Sequence, residues 1–231
     1  MARALVATGL NARYSYAGRT ESPTAQPIPQ RTGGFGGVSG LIRYLQTEAI
    51  THVIDATHPF AAGMRRNAVA ACAAAGVPLM ALERAPWAGD GWTHVGDVSA
   101  AVQALPGEPA RVFLAIGRQN LTPFAAKPQH HYLLRLVDTP TEPLPLPQSI
   151  AVIARGPFTL NGDLALLKTY RIQWLVAKNS GGSGARAKLD AARILALPVI
   201  LIDRPLVPPR PSVETVAEVM HWLAHPALRG V

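Results

Sequence analysis

The sequence predicts an α/β fold made of two Rossmann-like units with mainly parallel sheets. Short apolar runs alternate with amphipathic helical stretches along the chain. Each run also ends in a polar or glycine-rich turn, and most of these turns lead into a helix. Strands that alternate with helices in this way form parallel sheets covered on both faces. The number of strands is enough for two units, which we expect over residues 1–105 and 106–231.

In the first half of the chain, apolar runs predict strands and apolar spacing of three to four residues predicts helices. The predicted strands are 10–16, 51–56 and 77–83, and the predicted helices are 38–49, 61–76 and 97–105.

The second half continues the alternation, with a proline-rich segment over 139–147. Its predicted strands are 111–116, 131–137, 150–154, 173–177 and 198–202, and its predicted helices are 120–126, 162–170, 185–196 and 212–224. For the last helix, we predict Ser212 as the N-cap, because serine accepts a hydrogen bond from a free backbone N–H.

The composition is that of a folded chain. Hydrophobic residues make up 48% and charged residues 16% of the 231 residues, which excludes a disordered chain. A single cysteine, Cys72, excludes a disulfide framework and a cysteine-based metal site. No apolar run approaches the roughly 18 residues of a membrane span, and no signal peptide is recognisable. We therefore expect a cytoplasmic protein.

The net charge of +8 comes almost entirely from arginine. Nucleic acid is the obvious partner for such a balance, but the arginines are dispersed, and Arg65 and Arg66 form the one adjacent basic pair. Guanidinium groups suit carboxylates and phosphates. The distribution favours a small polyanionic ligand, although a high-GC coding bias would also enrich arginine.

The candidate site residues follow the predicted strands. In parallel sheets ligands bind beyond the carboxyl ends of the strands, where helix N-termini attract anions. The residues found there are Arg19, Thr20, Asp55, Thr57, His58, Pro59, Arg118, Arg155, Gly156, Lys178, Asn179, Ser180 and Gly181.

A glycine-rich loop precedes the helix that we predict from residue 38. It consists of Gly33, Gly34, Phe35, Gly36 and Gly37. Glycines let a backbone approach a phosphate closely, so the loop is either a phosphate site or a flexible surface loop. It matches neither the P-loop pattern nor a GxGxxG that follows a strand.

The other candidate functional residues could instead have purely structural roles. Asp55 and His58 could form a catalytic pair, or could cap a helix and pack in a turn. Lys178 ends an apolar run, where a cation needs an anion or a partner, but the glycines after it could equally form a linker. Serine hydrolase chemistry is excluded because no GxSxG is present, and no spacing of histidines predicts a metal site.

Taken together, the motifs resemble the precorrin-6A reductase family of cobalamin biosynthesis. The matching segments, in order, are SYAGRT, GGFGG, VIDATHPFAAGMRRNA, GVPLMALERAPW, VFLAIGRQNL, IARGPFTL, and LVAKNSGG followed by AKLDAAR. The likeness extends from about residue 3 to about residue 204. DATHPFA and KNSGG are its specific parts.

The resemblance implies an NADPH-dependent reductase of a macrocyclic tetrapyrrole that carries several carboxylates, with the first unit binding the cofactor and the second contributing to the substrate cleft. It implies hydride transfer to one carbon of a ring double bond and protonation of its neighbour. The implied cofactor contacts are Arg19, Thr20, Gly33, Gly34, Phe35, Gly36, Gly37, Thr57 and Pro59, and the implied substrate contacts are Arg118, Arg155, Gly156, Asn179, Ser180 and Gly181. For the proton donor, the candidates are Asp55, His58, Lys178 and solvent.

One departure from the family pattern concerns the start of the sequence. Family members begin with a strand and a GGTxEA phosphate loop, whereas this sequence opens at Ala2–Leu5, which matches the helix that follows that loop. We expect weaker NADPH binding for the chain as given than for one extended upstream. The alternative function is a non-catalytic tetrapyrrole- or nucleotide-binding protein, and in either case we expect a monomer.

Overall fold

The computed structural model describes residues 1–18, 24–89 and 91–225. It confirms the α/β class and the parallel sheets, because every strand pair is parallel among the described residues. The helices are α1 (Ala2–Ala7), α2 (Gly37–Thr47), α3 (Ala62–Ala75), α4 (Val98–Ala104), α5 (Leu160–Thr169), α6 (Ala187–Ile194) and α7 (Val216–Ala224). The strands are β1 (Tyr14–Tyr16), β2 (Gln30–Thr32), β3 (Val53–Asp55), β4 (Leu79–Leu82), β5 (Thr93–Val95), β6 (Arg111–Ala115), β7 (His131–Leu136), β8 (Ser149–Ile153), β9 (Trp174–Lys178), β10 (Val199–Ile202) and β11 (Ser212–Val213).

The chain forms two compact units, with boundaries that differ from the expected 105/106. The first unit comprises residues 1–84 and 206–231, and the second comprises residues 85–205. The difference has two causes. Strand β5 pairs with β10 in the sheet of the second unit, and β11 pairs with β4 in the first.

The first unit contains a two-stranded sheet, β1-β2, and a three-stranded sheet of order β11-β4-β3. Alternate residues of β3 point to different clusters, as the two-residue period of a strand requires. Val53 packs with Leu41 and Cys72 of α2 and α3, whereas Ile54 packs in the clusters of α1 and α7. The strands therefore lie between two helical layers.

The second unit contains one six-stranded parallel sheet of order β5-β10-β9-β6-β7-β8. Its strands β6, β9 and β10 are nearly continuous apolar runs, because both faces of a covered parallel sheet are buried. All four residues of β10 are buried. Helices α5 and α6 pack on this sheet through Leu167 and Leu189, which contact the cluster around Phe113 and Leu175.

The structure differs from the sequence predictions in two respects. Three short strands, β2, β5 and β11, were not predicted, because none contains a run of apolar residues. The expected N-cap at Ser212 is wrong, since Ser212 belongs to β11. Thr215 caps α7 instead, in a capping box with Glu218. Within the described ranges, no helix is both long and apolar enough to cross a membrane.

Candidate active site

In the first unit, the predicted glycine loop connects β2 to α2 and leaves the start of that helix open. The N-cap residue, Gly36, has a φ of 79° and supplies no side-chain cap. Gly37 has a φ of 78°, and a side-chain carbon at either position would meet nothing within 4 Å. Gly36 therefore offers no side-chain acceptor to the first backbone N–H groups of α2, and an uncapped helix N-terminus of this kind can bind a phosphate.

Arg31, at the centre of β2, holds the glycine loop in shape. Its guanidinium donates hydrogen bonds to the carbonyl oxygens of Gly33 at 2.9 Å and Gly34 at 3.1 Å. It also donates to the Ser15 hydroxyl at 2.8 Å and lies 4.0 Å from the centre of the Phe35 ring. Sequence reasoning missed this residue, although an arginine two positions before a glycine pair is within reach of the loop carbonyls.

The turn after β3 contains Thr57, His58 and Pro59, as predicted. The Asp55 carboxylate accepts hydrogen bonds from the Thr57 backbone N–H at 3.1 Å and from the Thr57 hydroxyl at 2.6 Å. The Nδ1 atom of His58 accepts from the Phe60 N–H at 3.2 Å, which orients the ring. His58 is exposed, whereas Pro59 is buried.

Beneath this turn lies a cluster of four charged side chains, of which Asp55, Arg65 and Arg210 are buried and Glu83 is partly exposed. Asp55 is only 5% exposed, and its Oδ2 atom lies 3.2 Å from Nη2 of Arg210 and 3.9 Å from Nε of Arg65. Both guanidinium groups donate to Oε1 of Glu83. Arg65 also donates to the Pro59 carbonyl oxygen at 2.8 Å. The cluster therefore binds the turn at Thr57 and at Pro59.

In the second unit, the loop after β9 is held by Asn179 and Arg204. The Asn179 side chain accepts from the Trp87 N–H at 2.7 Å and donates to the Trp87 carbonyl at 3.1 Å. Arg204 donates to the carbonyl oxygens of Asn179 at 3.0 Å and Ser180 at 3.3 Å. The Asn179 side chain is buried, so it supports the loop from within. Arg204 was not among the predicted residues.

The predicted substrate residues of the second unit lie at the carboxyl ends of the strands of its sheet. Arg118 follows β6 and is exposed, and Arg155 follows β8 and pairs with Asp138 at 2.9 Å. Gly156 follows Arg155, and Lys178 ends β9, with Ser180 two residues beyond it. Because β9 and β8 are three strand spacings apart, these cations are spread over about 14 Å.

Lys188 is a buried cation close to this loop. It lies on α6 with 6% of its surface exposed, donates to the Ala185 carbonyl, and has its Nζ 4.6 Å from the centre of the Trp87 ring. Burial, reinforced by the nearby Arg135 guanidinium and partly opposed by Asp163, lowers the pKa of Lys188 to about 8. Sequence reasoning did not select it, because a lysine within a helix is ordinarily exposed.

The structure thus brings eight of the predicted residues together in two groups, one in each unit. Asp55, Thr57, His58 and Pro59 share one turn, and Lys178, Asn179, Ser180 and Gly181 share another. Arg19 and Thr20 lie outside the described residues. In the part of the chain that the structure describes, no three His, Cys, Asp or Glu side chains cluster as metal ligands would.

Comparison with known proteins decides the family. The family model described as "Precorrin-6x reductase CbiJ/CobK" matches residues 1–224. The chain belongs to this reductase family. The resemblance inferred from the motifs is confirmed, and with it the assignment as an oxidoreductase of cobalamin biosynthesis.

Members of the precorrin-6x reductase family resemble this chain over most of its length. The precorrin-6A reductase of Rhodobacter capsulatus is 64% identical over 227 residues, covering 97% of this chain and 90% of the relative. That of a Sinorhizobium species is 46% identical over 217 residues, covering 91% and 83%. The cobalt-precorrin-6A reductase of Priestia megaterium is 30% identical over 194 residues, covering 79% and 76%. A solved structure of "CobK precorrin-6A reductase" superposes with a TM-score of 0.93 at 64% identity, covering 96% of this chain and 90% of that one.

Proposed function

We propose that this chain reduces a ring double bond of precorrin-6A, a tetrapyrrole with several carboxylates, using NADPH. The observation that carries the proposal is the open N-terminus of α2 behind a glycine loop, in a chain that belongs to a reductase family. We propose the cobalt-free substrate because the relatives at 64% and 46% identity are named precorrin-6A reductase, without cobalt.

The residues of the first unit fit a phosphate-bearing cofactor. The N-cap residue Gly36 offers no side-chain acceptor to the backbone N–H groups at the start of α2, and the glycines leave space for a phosphate to approach. Arg31 keeps the loop carbonyls turned toward its own guanidinium and so away from an anion. Gly33–Gly37, Thr57 and Pro59 are thus the proposed cofactor contacts, with Arg19 and Thr20 added from the sequence.

The cationic edge of the second unit fits the carboxylates of the substrate. Arg118, Arg155 and Lys178 come from three strand ends of one sheet, and their spread suits a broad ring better than a single carboxylate. In the turns after β8 and β9, Gly156 and Gly181 supply backbone groups and Ser180 supplies a hydroxyl group. For Asn179 we propose support of the loop, because its side chain is buried against Trp87.

When bound, NADPH supplies the hydride. The chain's own residues orient NADPH and the tetrapyrrole, and they deliver a proton to the ring carbon next to the one that receives the hydride. A proton donor must reach the substrate, and Asp55 is buried with both oxygens directed at Thr57 and two arginines. We therefore propose His58, which is exposed, or Lys178 as the donor, with solvent as the alternative.

The test is the loss of NADPH absorbance on adding precorrin-6A, with NADH and cobalt-precorrin-6A compared in parallel. We expect turnover with NADPH and precorrin-6A. Tetrapyrrole binding without any loss of absorbance would identify a binding protein instead and refute the reductase proposal. His58→Asn and Lys178→Met are then compared, and the variant of the donor loses kcat with little change in either KM.

A second experiment tests the role of the glycine loop. Arg31→Lys keeps the charge but removes the fork that binds two carbonyls, so we expect the Kd for NADPH to rise about 10-fold. Arg43→Lys, an exposed arginine on α2, is the matched control and should leave the Kd unchanged. Equal Kd values for the two variants would contradict a role for this loop in cofactor binding.

We further propose a cytoplasmic monomer that does not bind nucleic acid. Several arginines are already committed to internal partners, among them Arg65, Arg135 and Arg210. Gel filtration at micromolar concentration should give a single species of about the sequence mass, 24.5 kDa. Retention of unrelated DNA that falls steeply with salt would contradict the proposal.

A further inference from the structure

We infer that Arg210 is a positioning residue for the reduction, acting through Asp55 on the Thr57–Pro59 turn. The inference rests on the proposed function, in which this turn contacts the cofactor. It assigns a role to the segment between the second unit and β11, which no motif marked.

The contacts form a continuous path from Arg210 to the turn. Nη2 of Arg210 donates its hydrogen bond to Glu83 and forms an ion pair with Oδ2 of Asp55 at 3.2 Å. The other oxygen, Oδ1, accepts both the Thr57 N–H and the Thr57 hydroxyl proton. Since Oδ1 and Oδ2 belong to one planar group, fixing Oδ2 sets the direction in which Oδ1 meets Thr57. The guanidinium therefore orients the turn without touching it.

The remaining members of the cluster explain why Arg210 is needed as well as Arg65. Nε of Arg65 is 3.9 Å from Oδ2 of Asp55, farther than the 3.2 Å of Arg210, and its Nη1 and Nη2 donate to the Pro59 carbonyl and to Glu83. Arg65 thus fixes the far end of the turn. Arg210 is the cation nearest to the carboxylate that fixes the near end.

Burial makes this arrangement specific. The side chains of Asp55, Arg65 and Arg210 are at most 6% exposed, so water competes little for their contacts. Two cations face two carboxylates, and removing one cation leaves an uncompensated buried charge. A single substitution could therefore unfold the unit, and the experiment needs a variant in which charge stays balanced.

The experiment compares Arg210→Gln, the balanced pair Arg210→Gln/Glu83→Gln, and Arg210→Lys. Arg13→Gln is the control, because it breaks an ion pair with Glu48 on the surface of the same unit. The first readout is amide hydrogen exchange of residues 56–61. We expect the Thr57 amide to exchange about 10-fold faster in the balanced pair, the effect of one lost charge-assisted contact, and Arg210→Lys to recover part of the protection. Arg13→Gln should not change it.

The second readout separates positioning from general destabilisation. We expect KM for NADPH to rise about 5- to 10-fold in the balanced pair while KM for precorrin-6A changes less than about 2-fold. Unchanged Thr57 exchange in a folded balanced pair overturns the inference, as does an equal rise of both KM values. A wild-type chain that never oxidises NADPH refutes the proposed function, whereas the exchange data still decide whether Arg210 orders the turn.

Discussion

Asn179 binds the backbone of Trp87 through both polar groups of its side-chain amide. The N–H of Trp87 lies 2.7 Å from Oδ1, and its carbonyl oxygen lies 3.1 Å from Nδ2. The indole N–H of Trp87 in turn donates to the Gly182 carbonyl at 2.7 Å. The loop after β9 is thus tied to the chain ninety-two positions earlier by three hydrogen bonds.

Asn179→Asp tests this link. The carboxylate would lose the Nδ2 donor and set an oxygen against the Trp87 carbonyl, which we expect to lower the free energy of unfolding by about 2 kcal/mol. Asn161→Asp makes the same chemical change at an exposed position in the first turn of α5 and should cost nothing there. Urea unfolding measures both variants. Equal midpoints would mean that the Asn179 amide is not needed.

Gly181→Ala should distort the same loop for a steric reason. Gly181 has a φ of 68°, and a Cβ there would lie far inside contact distance of the Ala85 carbonyl oxygen, which is fixed backbone. We expect the melting temperature to fall by at least about 4 °C and KM for precorrin-6A to rise. Gly184→Ala is the control, because its Cβ would meet nothing within 4 Å. The steric argument fails if both variants melt alike.

Gly40→Ala should displace the glycine loop of the first unit. The Phe35 carbonyl oxygen packs directly against the Cα of Gly40, in the space that a Cβ would fill. We expect the loop to shift and the Kd for NADPH to rise about 10-fold or more. Gly63→Ala on α3 has open space and should stabilise the chain by about 0.5–1 kcal/mol. Isothermal titration of both variants decides, and an unchanged Kd for Gly40→Ala would contradict the prediction.

Lys188 should make stability rise with pH in the alkaline range. Its pKa falls from 10.5 to about 8 on folding. Between these values the unfolded chain binds more protons than the folded one, so raising the pH favours folding. Relative to Lys188→Met, we expect the free energy of unfolding of the wild type to increase by about 2 kcal/mol from pH 8 to pH 10.

The comparison with Lys188→Met is needed because other groups act in the opposite direction. Burial raises the pKa of the Cys72 thiol to about 11 and that of Tyr132 to about 12. As the pH rises past the pKa that each group has in the unfolded chain, each group therefore lowers the free energy of unfolding. Both groups are present in both proteins and cancel in the difference. Lys168→Met, at an exposed position, should show no such slope. A constant difference between wild type and Lys188→Met would contradict the lowered pKa.

The elements that sequence reasoning located are those with long apolar runs or clear helical spacing. Strands β6, β7 and β9 are buried on both faces, and they are recognisable in the sequence because such strands consist almost entirely of apolar residues. Strand β5 has exposed residues at two of its three positions, and β11 has only two residues. Such strands are defined by the neighbour that they pair with, which composition does not reveal.

The same distinction applies to the site. DATHP and KNSGG could be placed at strand ends because their polar residues follow apolar runs. The side chains that support them, Arg31, Arg204 and Arg210, could not be identified, because each is one arginine among many in the sequence. What selects them is the carbonyl or carboxylate that folding brings within reach.

The pairing of β11 with β4 has a consequence for the order in which the nascent chain folds. The polypeptide leaves the first unit after Arg84 and re-enters it at Leu206. During synthesis, the inserted segment has all its strands available before β11 emerges from the ribosome, while β4 has β3 beside it but still lacks β11. The first unit is therefore the last to be completed, although its amino-terminal residues are translated before the second unit.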